Sequence, residues 1–529
     1  LVNQYTSFIG NIMASRVASL WDFSGPALTI SAEEQSVARA LEVAQLLLTT
    51  GEVEAVVIGA VDLAGGFEHV LLRHGLQGVC SGDTRSSLDA NGGGWLVGEG
   101  AGAIVLRRRA DAIRDHTRIY ATIDGLASAH DSEQRATAAQ LALQAAGIRA
   151  ADVGYLELSA AGDPATDAAE LSALRAVYSG DHAAHCAVGS VKTIIGHTFV
   201  AAAMASIIKT ALCISGRYLP GFAGFTTARE PQIWNQGPFY APIDARAWLA
   251  HGAERRRVAV VSCAGGGSYT QIVLGEHRTV SAERRTPTAV EPPILVPLQG
   301  ADVTELQTQL DTLDQQLATG TSLISLAAER IAAYVPQRRD GLAMARSAII
   351  TALAQGGEWR TPAGSCFSAR PLAREGGVSF VYPGGASVAL GAGRDLLLLF
   401  PELHDEFVAG QIDADLIYPR TIGQPTPEQI DGYKRRLRGD LVAMLRNSAA
   451  FALLGTRLLR TTFGIAPSSA LGYSMGEGTM LLALGAWTAV GELAQRLRTS
   501  PLFHSILAGR REAARSFLGQ PDAPDDFWG

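Results

Sequence analysis

Cysteine is scarce in this chain of 529 residues, and its five copies, Cys80, Cys186, Cys213, Cys263 and Cys366, stand far apart. Without paired spacing they make neither a disulfide framework nor a zinc site, so a reducing cytoplasm and no bound metal are expected. Also missing is an uninterrupted hydrophobic run of the roughly 18 residues a membrane helix needs. The opening Leu1-Val2-Asn3-Gln4-Tyr5 lacks the charged and apolar regions of a signal peptide, so neither a membrane span nor export is expected. Positive charge is not in excess: the net charge is -7 and the cluster Arg255-Arg256-Arg257 is too short to make a face for nucleic acid, so no such partner is expected. There is no starting Met, and Asp526-Phe527-Trp528-Gly529 ends an unfinished segment, from which truncation at both ends is expected.

What is present is apolar and glycine-rich. Hydrophobic residues make up 47%, charged residues 18%, and glycines number 57, a composition of α/β proteins rich in loops. The length exceeds what one core serves, so two or more domains are expected. Residues 1–276 alternate helical stretches with β-rich runs such as Ala55–Ala60 and Val258–Ser262, which reads as a layered α/β domain. The charged, Pro-containing stretch Arg278–Pro293 breaks the periodicity and marks a boundary. Residues 277–376 read as a small α/β linker, with a strand at Ile294–Leu298, a helix carrying Leu306, Leu310, Leu313 and Leu317, and another near Leu323–Ala333. Residues 377–529 form the last domain, opening on the strand Val378–Tyr382 and a Pro383-Gly384-Gly385 turn.

In that domain Gly472-Tyr473-Ser474-Met475-Gly476 follows an apolar run and precedes a helix-forming one. The pattern predicts a nucleophile elbow, a sharp strand-to-helix turn that lifts a serine oxygen above its sheet. Ser474 is thus the candidate nucleophile, with an ordinary strand-turn-helix junction as the alternative. The backbone N–H of Met475 and those of the Gly384-Gly385 turn are candidate oxyanion donors. Its general base is missing: His504, the only later histidine, reads as a surface or packing residue, which places the catalytic histidine beyond residue 529.

Gly98-Glu99-Gly100-Ala101-Gly102, Gly189–Thr198 and Val261–Ser268 resemble, in order, three segments of the ketosynthases. The resemblance implies a thiolase-like fold, N-terminally truncated, with Lys192 and His197 as the catalytic lysine and second histidine. It also implies two losses. Gly25–Glu34 places Glu34 where that family has its nucleophilic cysteine, and Ser159 stands for the first histidine. A carboxylate cannot form the acyl thioester that condensation consumes, so Glu34, Ser159, Lys192 and His197 read as a relic site in a non-condensing, chain-length-factor-like domain. An alternative is a domain that decarboxylates malonyl thioesters, with Gln35 serving if the alignment is off by one.

Phe380–Gly385 and Gly464–Glu477 resemble the opening and elbow of malonyl- and acyltransferases, which implies a truncated α/β-hydrolase-like domain. Gly385 takes the place of that family's usual glutamine. Thr499, beside Arg498, takes the place of the arginine that pairs with malonyl carboxylates, which favours an unsubstituted or long acyl group. The whole chain is similar to the acyltransferase subunits of polyunsaturated fatty acid and polyketide-type synthases, in which a chain-length-factor or ketosynthase-like domain precedes an acyltransferase. That resemblance implies acyl transfer between thioesters of CoA or a phosphopantetheine-bearing acyl carrier protein, through a serine ester. It implies no tightly bound cofactor, partnership with the carrier protein and an active ketosynthase, and a dimer through the first domain. Alternatives are a modular polyketide synthase segment and a catalytically inactive scaffold.

Overall fold

The computed structural model describes residues 10–63, 65–77, 85–94, 96–130, 134–180, 183–250, 256–278, 302–318, 347–348, 350–352, 354–355, 357–360, 366–368, 376–385, 387–405, 413–488, 495–496, 499–506 and 511–522. They divide into two compact units, one of Leu1–Pro287, Gly385–Leu454 and Ala489–Gly529, the other of Thr288–Gly384 and Gly455–Thr488.

After a first helix at Gly10–Leu20, the first unit runs through helix α1 (Ser36–Thr50), strand β1 (Ala55–Asp62), helix α2 (Phe67–Gln77) and strand β2 (Gly100–Arg107). β1 and β2 pair antiparallel, Ala55 opposite Arg107 and Asp62 opposite Gly100. Next come β3 (Thr122–Ala129), α3 (Arg135–Ala146), β4 (Tyr155–Glu157), α4 (Pro164–Tyr178), β5 (Cys186–Gly189), α5 (Ala202–Gly216), β6 (Phe239–Tyr240), β7 (Val258–Gly265) and β8 (Ser268–Gly275). Six strands form one sheet in the order β3-β8-β7-β4-β5-β6, with β7, β4, β5 and β6 parallel and β8 antiparallel to both its neighbours.

The inner strands read as continuous apolar runs because helices cover both faces. Tyr155, Ala259 and Val261 pack with Met204, Ile207 and Ile214 of α5 and Val37 and Leu41 of α1. Leu156, Val258 and Val260 pack with Ala139 and Leu143 of α3 and Leu171 and Leu174 of α4. Asp163 caps α4 by accepting the Thr166 N–H at 2.8 Å, with Pro164 at the first helical position. The window Phe199–Gly216 corrects one expectation, since it is long and apolar enough to cross a membrane. Lys209 interrupts it in sequence, and 61% of it is buried against the central sheet, as in a core helix.

The three consecutive domains expected do not match the compact units. Residues 385–454 cluster with the first region because main chain and arginines stitch them there. Ala241, just past β6, donates to the Thr421 carbonyl at 3.0 Å and bridges Ile422 in parallel. Arg246 donates to the Tyr418 carbonyl at 2.8 Å, and Arg420 to the Ala184 carbonyl at 2.9 Å.

In the second unit, helix α6 (Val303–Ala318) buries Leu306 and Leu310 against Trp359 and Phe367 of a small antiparallel hairpin. The strand at Ile294–Leu298 and the helix near Leu323–Ala333 fall outside the described residues. Strand β9 (Ser379–Tyr382) pairs in parallel with β10 (Ser469–Gly472), which feeds helix α7 (Met475–Ala483). Of the α/β-hydrolase-like domain expected, the described residues of this unit hold this strand pair and helix, not a full sheet.

Candidate functional site

Ser474 sits between β10 and α7 at φ 56° and ψ -121°, a conformation that non-glycine residues rarely adopt. Its exposed hydroxyl stands at the helix N-terminus. The turn is held by the Gly476 N–H on the Tyr473 carbonyl (2.8 Å) and the Tyr473 N–H on the Tyr382 carbonyl (3.2 Å). Gly476 passes so close to the Tyr382 carbonyl that a side chain there would collide with it. Met475 opens α7, where backbone N–H groups lack helical acceptors. Gly384 borders the site, and a Cβ there would lie 3.9 Å from the Ser474 Cβ. Gly385 belongs to the first unit, where its carbonyl accepts from Ser448 Oγ at 3.0 Å. Thr499, also in that unit, is exposed and donates to the Gln495 carbonyl at 3.0 Å. Arg498 lies outside the described residues, as does the side chain of His504.

In the first unit Glu34, Lys192 and His197 come together. The Glu34 carboxylate lies 3.5 Å from His197 Nε2 and 3.8 Å from Lys192 Nζ, and those two nitrogens are 3.2 Å apart. His197 Nδ1 accepts the Phe199 N–H at 3.0 Å, which leaves the ring proton on Nε2. Burial disfavours the Glu34 charge, but Lys192, His197 and Arg73 together hold its pKa below the usual range. Burial, helped by the Lys192 charge, pulls His197 down to about 4. Gly98 lets the segment leading into β2 approach the Ile195 carbonyl, where a Cβ would clash.

Gln35 does not face this cluster. Its amide nitrogen donates to the Cys263 (3.0 Å) and Ser268 (2.9 Å) carbonyls, and its oxygen accepts from Thr270 Oγ1 at 2.8 Å. It ties α1 to the β7–β8 hairpin. Ser159 is also engaged, donating from Oγ to Glu170 at 2.8 Å and from N to the same carboxylate at 3.0 Å. Asp167 accepts from the Ala161 and Gly162 N–H groups and from Ser87. Burial, then Glu170, raise Asp167 to about 6. Sequence reading missed these anchors, although two acids three apart after a capped Asp-Pro start were a readable signal. It also missed Arg73, whose guanidinium lies 3.1 Å over the Phe199 ring, itself stacked on His197.

Residues 2–112 match the family model for the beta-ketoacyl synthase N-terminal domain, and residues 120–226 that for the C-terminal domain. This part of the chain is ketosynthase-like. It carries a thiolase-like fold, with Glu34 beside its lysine and histidine and Ser159 bonded to Glu170. The chain is 31% identical to a polyunsaturated fatty acid synthase subunit of Thraustochytrium sp. (strain ATCC 26185 / S-3), over 99% of this chain and 28% of the relative. It is 28% identical to polyketide synthase GfsB of Streptomyces halstedii, over 98% of this chain and 10% of that one. The chain thus spans less than a third of either relative. The ketosynthase from module 6 of the bacillaene synthase from Bacillus subtilis 168 aligns over 80% of this chain and 78% of its own, at 23% identity and a TM-score of 0.49. Among the described residues, the cysteines of the ketosynthase-like unit, Cys186, Cys213 and Cys263, are buried, and burial pushes the thiol of Cys263 up to about 12. Among the described residues no group of His, Cys, Asp and Glu side chains could hold a metal ion.

Proposed function

We propose that the chain is the acyltransferase-bearing part of a polyunsaturated fatty acid or polyketide-type synthase, paired with a ketosynthase-like unit that does not condense. Ser474 attacks an acyl thioester of CoA or carrier protein, forms an ester and releases the thiol; a second thiol then takes the acyl group. The backbone N–H of Met475, with Gly384 beside it, serves the oxyanion, a contribution of about 3 kcal/mol per donor. The observation that carries this reading is the strained, exposed Ser474 held between β10 and α7. Thr499 in place of an arginine favours an unsubstituted or long acyl group over malonyl. The ketosynthase-like unit would pair with an active ketosynthase and form the dimer contact.

The test is covalent labelling of the protein with acyl-CoA of short and long chain and with malonyl-CoA. An ester that survives denaturation, is absent from Ser474→Ala and forms better from unsubstituted chains supports the proposal. No label from any donor, with the intact synthase present, overturns it. Carbon dioxide release from malonyl thioester that depends on Glu34 would instead favour a decarboxylating unit. The saturated bonding of Gln35 weighs against Gln35 carrying that step.

A further inference from the structure

In the ketosynthase-like unit one carboxylate of the chain faces two nitrogen donors. Two buried donors converge on the Glu34 carboxylate: the His197 Nε2–H at 3.5 Å and the Lys192 ammonium at 3.8 Å. With Nδ1 committed to the Phe199 N–H, the 3.2 Å approach of Nε2 to Lys192 Nζ sets two donors side by side. Such a pair needs acceptors in front of it: the Ala160 carbonyl takes Lys192 Nζ at 3.4 Å, and Glu34 is the acceptor the two nitrogens share. Arg73 adds positive charge from its position over Phe199, partly offset by Asp62 at 3.9 Å from its guanidinium. His197 is 2% exposed and the Lys192 side chain 9%, so both donors act where water screens little. The Glu34 side chain is 23% exposed and is the face of the cluster that solvent reaches.

We propose that Glu34 is a built-in carboxylate plug: the Lys192–His197–Arg73 cluster is a binding site for a small carboxylate, closed in the native chain because Glu34 occupies it. The plug explains why the cationic cluster stays assembled in a unit whose nucleophile position holds an acid. It also predicts that the native chain excludes carboxylate-bearing ligands from this pocket. The idea is independent of acyl transfer at Ser474 and stands or falls separately.

Removing the plug tests it. Acetate and malonate are titrated by calorimetry into the full chain, native and with Glu34→Ala or Glu34→Ser. Each anion is also tested for its effect on the thermal midpoint. The expected result is a gain in carboxylate affinity of about tenfold or more in both variants, charge-assisted bonds to two donors being at stake. That gain disappears when Lys192→Met is added. Either variant alone suffices should the other fail to fold. Folded variants that bind no better than the native chain overturn the proposal, as does a gain that survives Lys192→Met.

Discussion

Arg257 and Glu276 form a two-bonded ion pair, 3.0 and 2.8 Å, with their side chains 0% and 1% exposed. Arg217 Nε reaches the same carboxylate at 2.9 Å, and Arg257 lies 3.4 Å from His404 Nδ1. Asp405 lies 3.5 Å from Arg217 Nη1, so Glu276 is the one carboxylate bonded to both guanidinium groups where the segment around His404 joins the ketosynthase-like unit. Glu276→Ala strips the fully buried Arg257 of its bonded carboxylate, Arg217 keeping Asp405, and should cost about 3–5 kcal/mol, while the paired change Arg257→Met with Glu276→Met costs less. Urea unfolding measures both. Limited proteolysis of Glu276→Ala should also cut first within residues 401–425. A loss under about 1 kcal/mol would show that the pair is not a keystone.

Ser474 makes the opposite kind of prediction, because its backbone is strained for function. Ser474→Gly removes the Cβ that makes φ 56° unfavourable, so thermal stability should rise, by about 1–2 kcal/mol after the unfolded-state entropy of glycine is counted. The acyl ester is lost at the same time. Ser474→Ala, which keeps the Cβ, should lose the ester with no such gain. Equal stability of the two variants would mean that the elbow stores no strain.

How far these features were readable in advance depends on how local their causes are. The strands at Ala55 and Val258, the buried Leu306, Leu310 and Leu313 of α6 and the Gly-x-Ser-x-Gly turn follow from short-range pattern, and all are present among the described residues. Glu34 could be set beside Lys192 and His197 because the motif order of a known fold supplies long-range geometry that periodicity does not. The attachment of residues 385–454 to the first unit was not legible. It rests on Arg246 and Arg420 reaching carbonyls 172 and 236 positions away, and a carbonyl leaves no trace in a sequence. Gln35 shows the same limit: as the alternative for decarboxylation it needs a free amide, and the sequence does not show the three partners from β7 and β8 that bond it.

Glu157 offers a third test, inside the sheet. Fully buried, it accepts from Tyr155 Oη (2.6 Å), the Val191 N–H (2.6 Å) and Lys209 Nζ (2.7 Å). The Val191 bond fixes the start of the turn that carries Lys192. Lys209→Met should destabilise by about 3–5 kcal/mol, and adding Glu157→Gln should recover part of it by removing the stranded charge. A double-mutant cycle with no coupling would show that Lys209 acts by packing alone.

Acid should weaken the first unit through its histidines. Burial, aided by Lys192 for His197 and by Arg257 for His404, pulls their pKa values from 6.5 to about 4 and about 3. Between pH 6.5 and 4 the unfolded chain takes up protons at these positions that the folded chain refuses, so stability falls as pH falls. Asp167 opposes this: raised from 3.8 to about 6, it is protonated in the folded state first and gains stability over the same fall. Two histidines against one carboxylate leave a net loss of about 1.4 kcal/mol per pH unit between pH 6 and 4. Glu34 and Glu276, held below the ordinary carboxylate range, add to the loss below pH about 4.5. Urea midpoints at pH 7, 6, 5 and 4.5 should trace this slope. His404→Gln, whose amide keeps a donor for the Leu397 carbonyl now bonded at 2.7 Å, should flatten it between pH 6 and 4.5. A native slope that is flat or rises toward acid in that window would mean that the two imidazoles are not held neutral by the fold.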